Sequence, residues 1–442
     1  MKTFIGIQLT RRQCTSFLAF VLILNLLVLL GSGLSNELIH VPKGPAWKFL
    51  LNQLNLGIEN VLAAWYSSML LFLVALAALL CFLVDRQQKT SFVSGALAFG
   101  WVLFSFIFLT LSLDEMGSFH ESIGDTALFR QVGFGEGGGW NAFLVLIVLV
   151  ALFMITFFVA KVHTSKTSFV YMLIGTLLFL SNPFQEAMEI TSLRSAADPN
   201  NWNRPTTLFL LEEGSEIFGA LCFLASMVRY AMDRNRQLRL SADGIRLHLP
   251  VTGNSLLRYI ELPLLLGFAV MLLLYSLADG MPKGDDGIAV NWFPSVVFFA
   301  VALMAFFKMA GGGKGKTGYL LLAPLALLYA AYFGSDMYHS ALLLQPAVLG
   351  LSLHALLLLL SAGLAVGLFL IFHLYVSRLL IAGYLLLTLF SFFSISIPVP
   401  FAGYLSAALL LGAITVQYVT DSEAQRTVTP VTKPAYSDAL SG

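Results

Sequence analysis

About twelve apolar stretches, each near the length of a membrane-spanning helix, dominate this chain of 442 residues. A helix needs roughly 20 apolar residues to cross the hydrocarbon core of a bilayer. Charged residues make up only 11% of the chain, against about 25% in a soluble domain. The pattern predicts an all-α, polytopic transmembrane helix bundle. The predicted spans are 14–34, 61–83, 91–113, 140–160, 167–185, 207–231, 259–278, 290–308, 317–335, 348–373, 379–396 and 402–418.

The distribution of basic residues predicts which end of each span faces the cytoplasm. Most of the 25 Lys and Arg residues precede the first span or follow an even-numbered one. The positive-inside rule therefore predicts that both termini are cytoplasmic. The first span is interpreted as a retained helix, because its apolar run is long and no signal-peptide cleavage site stands out. The net charge of +1 gives no reason to expect a nucleic-acid partner, and membrane lipids are the expected surroundings.

The spans divide the chain into two halves of six. Residues 1–232 form the first half and residues 259–420 the second, joined by a basic cytoplasmic connector, 233–258. Within the connector, LRLSADGIRLHL alternates apolar and polar residues around Asp-Gly, which is typical of a short β-hairpin. The polar tail, 421–442, is expected to be disordered and cytoplasmic.

An outward loop before the second span carries a second amphipathic pattern. In AWKFLLNQLNLG, the residues Trp47, Leu50, Leu51 and Leu54 recur at helical spacing. This predicts a short helix that lies in the membrane interface. The three cysteines all lie in or beside spans and indicate neither a disulfide framework nor a thiolate metal site.

Carboxylates collect at span ends that are all predicted to face outward. Glu59 opens the second span, and three further segments end or open neighbouring spans: LSLDEMGSFHES, NPFQEAMEI and FLLEEGSEIFG. Residues three or four apart share a face of a helix, so Glu186 with Glu189, and Glu212 with Glu216, can act together. His120 adds an imidazole at a similar depth.

Like charges held this close disfavour one another, and a divalent cation is an economical way to hold them together. Oxygen ligands with one imidazole favour iron, manganese or zinc over calcium. Solvated helix ends and an arginine-paired network are the alternatives that the residues leave open. The predicted metal ligands are Asp114, Glu115, His120, Glu121, Glu186, Glu189, Glu212, Glu213 and Glu216.

Three motifs occur in an order that resembles a known group of proteins. LDE followed four residues later by HE, the LEEGSE turn, and IEN with AWYSS at the entry to the second span are similar to those of uncharacterised multipass bacterial membrane proteins. The resemblance covers roughly residues 54–230. It implies a bacterial inner (plasma) membrane setting and no particular chemistry.

These observations favour a metal-dependent enzyme that acts on a lipid or another amphipathic substrate. In that case the metal would activate water or oxygen and a carboxylate would be the general base. The expected catalytic residues are Glu115, His120 and Glu189. The alternatives are a structural or accessory subunit of an envelope complex, or a transporter of an apolar or amphipathic substrate. Whether the chain is an enzyme stays open, as does its oligomeric state.

Overall fold

The computed structural model describes most of the predicted spans as helices. It describes residues 3–38, 45–58, 61–87, 92–117, 138–195, 205–238, 241, 244–251, 264–270, 286–310, 316–335, 362–363, 366, 369, 375–392 and 399–428. The elements are β1 (Thr3–Thr10), α1 (Arg11–Leu38), α2 (Pro45–Leu54), α3 (Leu62–Arg86), α4 (Phe92–Gly117), α5 (Gly138–Lys161), α6 (Lys166–Ser195), α7 (Thr206–Gln237), β2 (Gly244–Val251), α8 (Asp286–Ala310), α9 (Lys316–Gly334), α10 (Tyr375–Phe392) and α11 (Val399–Val428).

The helices have the length and surface of a membrane-embedded bundle. Within the described residues, four are long and apolar enough to cross a membrane: Arg11–Leu38, Leu62–Arg86, Leu97–Gly117 and Asn291–Met309. The outer faces of α1, α5 and α6 expose large apolar side chains, such as Leu30, Leu149 and Leu177. Apolar faces of this extent are unfavourable in water. The fold is therefore that of a helical membrane protein.

Helix α3 lies between two hydrophobic cores and contributes to both. Val74, Ala78 and Cys81 pack into the core formed by the helices of the first half. Trp65 and Met69 pack instead into the core formed with α8, α9 and α11. This explains why α3 is the most buried of the four long apolar helices.

Small and polar residues let two pairs of neighbouring helices approach closely. Ser68 of α3 and Ser112 of α4 each donate a hydrogen bond to the other's backbone carbonyl, at 2.6 and 2.8 Å. Ser168 of α6 and Ser226 of α7 do the same, both at 2.7 Å. Small residues and hydroxyl groups at helix interfaces are the usual means of association where the solvent is itself apolar.

The connector contains a strand, β2, whose partner among the described residues is β1. The two strands pair antiparallel, in a register that joins Thr3 with Val251 and Thr10 with Gly244. Of the first arm of the predicted hairpin, Leu238 ends α7, and residues 239 and 240 lie outside the described residues. Gly244 has φ +148°, and a Cβ there would overlap the Leu9 carbonyl oxygen, so the sheet begins at a position that suits only glycine.

Two further predictions concern the loop before α3 and the tail. The amphipathic segment is helical, as predicted, from Pro45 to Leu54, with Trp47 exposed and Leu51 buried. The tail boundary at 421 falls inside a helix, because α11 continues to Val428. The tail beyond 428 lies outside the described residues.

Candidate functional site

The predicted site residues lie at one end of three helices in the first half. Asp114 and Glu115 are in the last turn of α4, and Glu212, Glu213 and Glu216 are near the start of α7. Positions 186 and 189 are in the last three turns of α6, where the backbone is described but these two side chains are not. Glu59, His120 and Glu121 lie outside the described residues.

An aromatic junction fixes how these three helices sit relative to one another. Phe108 of α4 contacts Phe179 of α6 and Phe223 of α7, with ring centroids 6.1 and 5.2 Å apart. Phe179 and Phe223 are 5.5 Å apart, so each ring touches the other two. Phe108 and Phe223 are fully buried. The helices α4, α6 and α7 therefore meet at one level of the bundle.

An acidic residue occurs seven positions, or about two helical turns, from this junction on each of the three helices. Glu115 is seven residues after Phe108, position 186 is seven residues after Phe179, and Glu216 is seven residues before Phe223. Seven residues correspond to a rise of roughly 10 Å and a rotation of only about 20° from the starting direction. The three positions are thus at the same depth and on the faces that carry the phenylalanines.

The pairing of α6 with α7 continues into a polar cluster at this depth, formed by Asn182, Ser181, Gln185, Ser215 and Glu216. Asn182 Nδ2 donates to Glu216 Oε1 at 2.9 Å, and the Ser215 hydroxyl donates to Asn182 Oδ1. Gln185 Nε2 donates to the hydroxyl oxygens of Ser181, at 2.7 Å, and of Ser215, at 3.4 Å. A carboxylate, two amides and two hydroxyls are therefore joined across one helix interface.

The amide oxygen of Gln185 differs from the amide nitrogen in its hydrogen bonding. Gln185 is only 8% exposed, and its Oε1 is a buried acceptor that receives no hydrogen bond from the residues that the structure describes. Most buried polar atoms in proteins have a partner, so an acceptor left without one requires an explanation. No sequence pattern indicates a role for Gln185, because a glutamine near glutamates forms no recognisable motif.

The described side chains alone do not form a metal site. Among the residues that the structure describes, no group of three or more His, Cys, Asp or Glu residues is arranged to hold a metal ion. Glu115, Glu212, Glu213 and Glu216 all take part in interactions. A metal site formed by the nine predicted ligands stays a prediction, because His120, Glu121 and the side chains at 186 and 189 are not described.

The second half of the chain reaches the same end of the bundle. Trp292, near the start of α8, donates its indole N–H to the Ser112 hydroxyl at 3.1 Å, two residues before Asp114. Trp65, at the start of α3, donates to the hydroxyl of Ser295 at 2.9 Å. Two buried indole hydrogen bonds thus join the halves beside the acidic end of α4.

A second charged cluster, which the sequence patterns did not reveal, lies at the other end of the first half. Asp85, at the end of α3, has a side chain that is 2% exposed. Lys161 Nζ of α5 is 2.9 Å from its Oδ2, and Arg234 Nε of α7 is 3.2 Å from its Oδ1. The indole of Trp101 in α4 and the hydroxyl of Tyr230 in α7 each donate to it at 3.0 Å.

This Asp85 cluster links the ends of α3, α4, α5 and α7 through one carboxylate. All of its charged members lie at span ends predicted to be cytoplasmic, where the chain is otherwise basic. A lone aspartate directly before Arg86, at the end of an apolar run, was the one sequence feature that could have indicated it. The pairing itself could not be read from spacing, because Asp85 and Arg234 are 149 residues apart.

These features define a helical membrane bundle with polar clusters at both ends of its first half. Residues 17–231 match the family model of a domain of unknown function, DUF8692. The match agrees with the resemblance to an uncharacterised family, and it spans α1 to α7 in nearly their full length. No curated protein and no solved structure matches the chain.

Proposed function

We propose that this protein holds a divalent cation at an acidic site on the outward face of the membrane, between α4, α6 and α7. The observation that carries the proposal is the mutual contact of Phe108, Phe179 and Phe223, which aligns the three helices two turns below their carboxylates. Carboxylates gathered at a membrane edge must be hydrated, paired or bound to a cation. A single cation bound by carboxylates from three helices would offset their negative charge and account for their grouping.

The bound metal would supply the chemistry of a membrane enzyme that acts on a lipid or another amphipathic molecule. Glu115 and position 189 lie at the membrane edge, where the head group of such a molecule would be. In this proposal one carboxylate of the set Glu115, Glu189 acts as general base, and His120 completes the ligand set. The centres of the helices carry few charges, which favours a site at the edge over ion-coupled transport through the bundle.

The orientation of the site depends on a topology of about twelve spans in a bacterial inner membrane, with both termini cytoplasmic. The antiparallel pairing of β1 with β2 supports this topology, because paired strands lie on the same side of a membrane. An even number of crossings must then separate them, and six spans are predicted between them. Alkaline phosphatase fused after Asn200 should be active, and fused after Arg236 inactive. The reverse result would move the acidic site to the cytoplasm.

Metal analysis of the purified protein tests the site itself. We expect stoichiometric metal in the wild type, and sharply less in Glu115→Gln, Glu186→Gln and Glu216→Gln, which each remove one charge from a different helix. Glu37→Gln is the matched control, because Glu37 is an exposed carboxylate at the same end of the bundle that accepts a hydrogen bond from Thr206. It should leave the metal content unchanged.

Thermal unfolding in detergent supplies the second readout. A chelator should lower the unfolding temperature of the wild type to that of the three variants and should not lower theirs further. If the wild type carries no metal and all four variants behave alike, the acidic end is a solvated surface. The structural or accessory subunit would then be the better description.

A further inference from the structure

We infer that Gln185 Oε1 is a ligand of the cation, and that the cation is a hard, oxygen-preferring one of the calcium and magnesium class. This inference rests on the proposed function and adds a ligand and a cation class to it. Its basis is the Gln185 amide oxygen, which is buried within the polar cluster of α6 and α7 and accepts no hydrogen bond from the described part of the chain.

The hydrogen bonds around Gln185 fix which way its amide faces. The Ser181 hydroxyl donates to the carbonyl of Leu178 at 2.6 Å. The single hydroxyl proton of Ser215 is shared between Asn182 Oδ1 and the carbonyl of Glu212, which is 2.8 Å away. Both hydroxyl oxygens can therefore only accept from the amide, so the NH₂ group faces them. The oxygen lies on the other side of the amide, away from the two serines.

The hydrogen bonds place Gln185 in the same cluster as a carboxylate. Glu216 is joined to Gln185 through Asn182 and Ser215. Calcium takes carboxylates, amide carbonyls and water together as ligands.

The same ligand chemistry decides between classes of metal. All described polar groups of this cluster present oxygen or amide nitrogen, and an amide nitrogen does not ligate. Carboxylate and carbonyl oxygens select magnesium, calcium or manganese, whereas imidazole and thiolate select zinc, copper or iron. The inference thus differs from the sequence expectation, which favoured iron, manganese or zinc on the strength of His120.

Calorimetric titration of the full-length protein in detergent with Ca²⁺ and with Zn²⁺ tests the assignment. We expect Ca²⁺ to bind the wild type more tightly than Zn²⁺. Gln185→Met, which keeps the length of the side chain but removes its oxygen, should weaken Ca²⁺ binding by about tenfold or more. Gln185→Glu, which keeps the oxygen and adds a charge, should bind Ca²⁺ at least as tightly as the wild type.

Thermal unfolding with and without Ca²⁺ separates a ligand from a packing residue. If Gln185 is a ligand, added Ca²⁺ should raise the unfolding temperature of Gln185→Met by less than it raises that of the wild type. A lower unfolding temperature with unchanged Ca²⁺ affinity would assign the residue to packing and overturn the inference, as would tighter binding of Zn²⁺ than of Ca²⁺.

The inference can fail while the proposed function stands. That outcome would be loss of metal in Glu216→Gln together with wild-type binding in Gln185→Met. If neither cation binds the wild type, and Glu216→Gln changes nothing, the proposed function and this inference both fall.

Discussion

Replacing Asp85 by asparagine should be one of the most destabilising single changes in this chain. The substitution keeps the size of the side chain and its acceptor for Trp101 or Tyr230, but it removes the charge that Lys161 and Arg234 share. The side chains of Lys161 and Arg234 are only 12% and 24% exposed. Water can therefore compensate little of the charge that is lost.

The expected magnitude follows from that burial. Removing one member of a buried ion pair costs about 3–5 kcal/mol, because the partner is left charged and uncompensated. Here two cations lose their partner at once, although Arg234 keeps a hydrogen bond to Gln237. We expect Asp85→Asn to lower the free energy of unfolding by about 3–5 kcal/mol.

Reversible unfolding of the purified protein in mixed micelles, followed by circular dichroism, measures this loss. Glu37→Gln is the control, because Glu37 is an exposed carboxylate that accepts a hydrogen bond from Thr206. The loss of an exposed charge of this kind costs about 1 kcal/mol or less. Asp85→Asn combined with Lys161→Met should lose less than the sum of the single changes, with a coupling of about 0.5–3 kcal/mol.

A loss below about 1 kcal/mol in Asp85→Asn, equal to that of the control, would refute the reasoning. It would mean that the two cations are solvated and that the carboxylate does not organise the ends of the four helices. Strictly additive effects of Asp85→Asn and Lys161→Met in the double variant would lead to the same conclusion.

Two more outcomes are expected from the packing of the halves and of the sheet. Gly334→Ala should destabilise the protein by about 1–3 kcal/mol, because a Cβ there would overlap a buried indole ring of α3. Gly363 has open space around it, so Gly363→Ala should be neutral or stabilising in the same unfolding assay. In a variant without native cysteines, Gln8→Cys with Arg246→Cys should form a disulfide under mild oxidant, because these residues are register partners; Gln8→Cys with Val251→Cys should not, and equal yields would contradict the register.

The parts of this fold that sequence could predict are those decided by local chemistry. Ten of the predicted spans coincide with described helices, because a run of apolar residues long enough to span a membrane has few other solutions. The amphipathic helix at Pro45–Leu54 was found for a similar reason: the spacing of Trp47 and Leu51 lies within one segment.

The parts that sequence could not predict are those decided by partners far along the chain. The sequence predicts the strand at Gly244–Val251 but not its partner, which lies near the beginning of the chain. No spacing indicates the role of Asp85, because its partners come from three other helices. The sequence groups the carboxylates only through the predicted topology, whereas the mutual approach of α4, α6 and α7 depends on the contact of three phenylalanines that no periodicity indicates.

The sheet of β1 and β2 also sets an order in time for the making of the protein. β1 leaves the ribosome long before β2, since 247 residues lie between the paired positions Thr3 and Val251. At a synthesis rate of 5–20 residues per second, β1 waits roughly 10–50 s for its partner. During that interval its eight backbone donors and acceptors are open to chaperones or to other nascent chains. The first half therefore completes its fold only after its last helix, α7, has been synthesised.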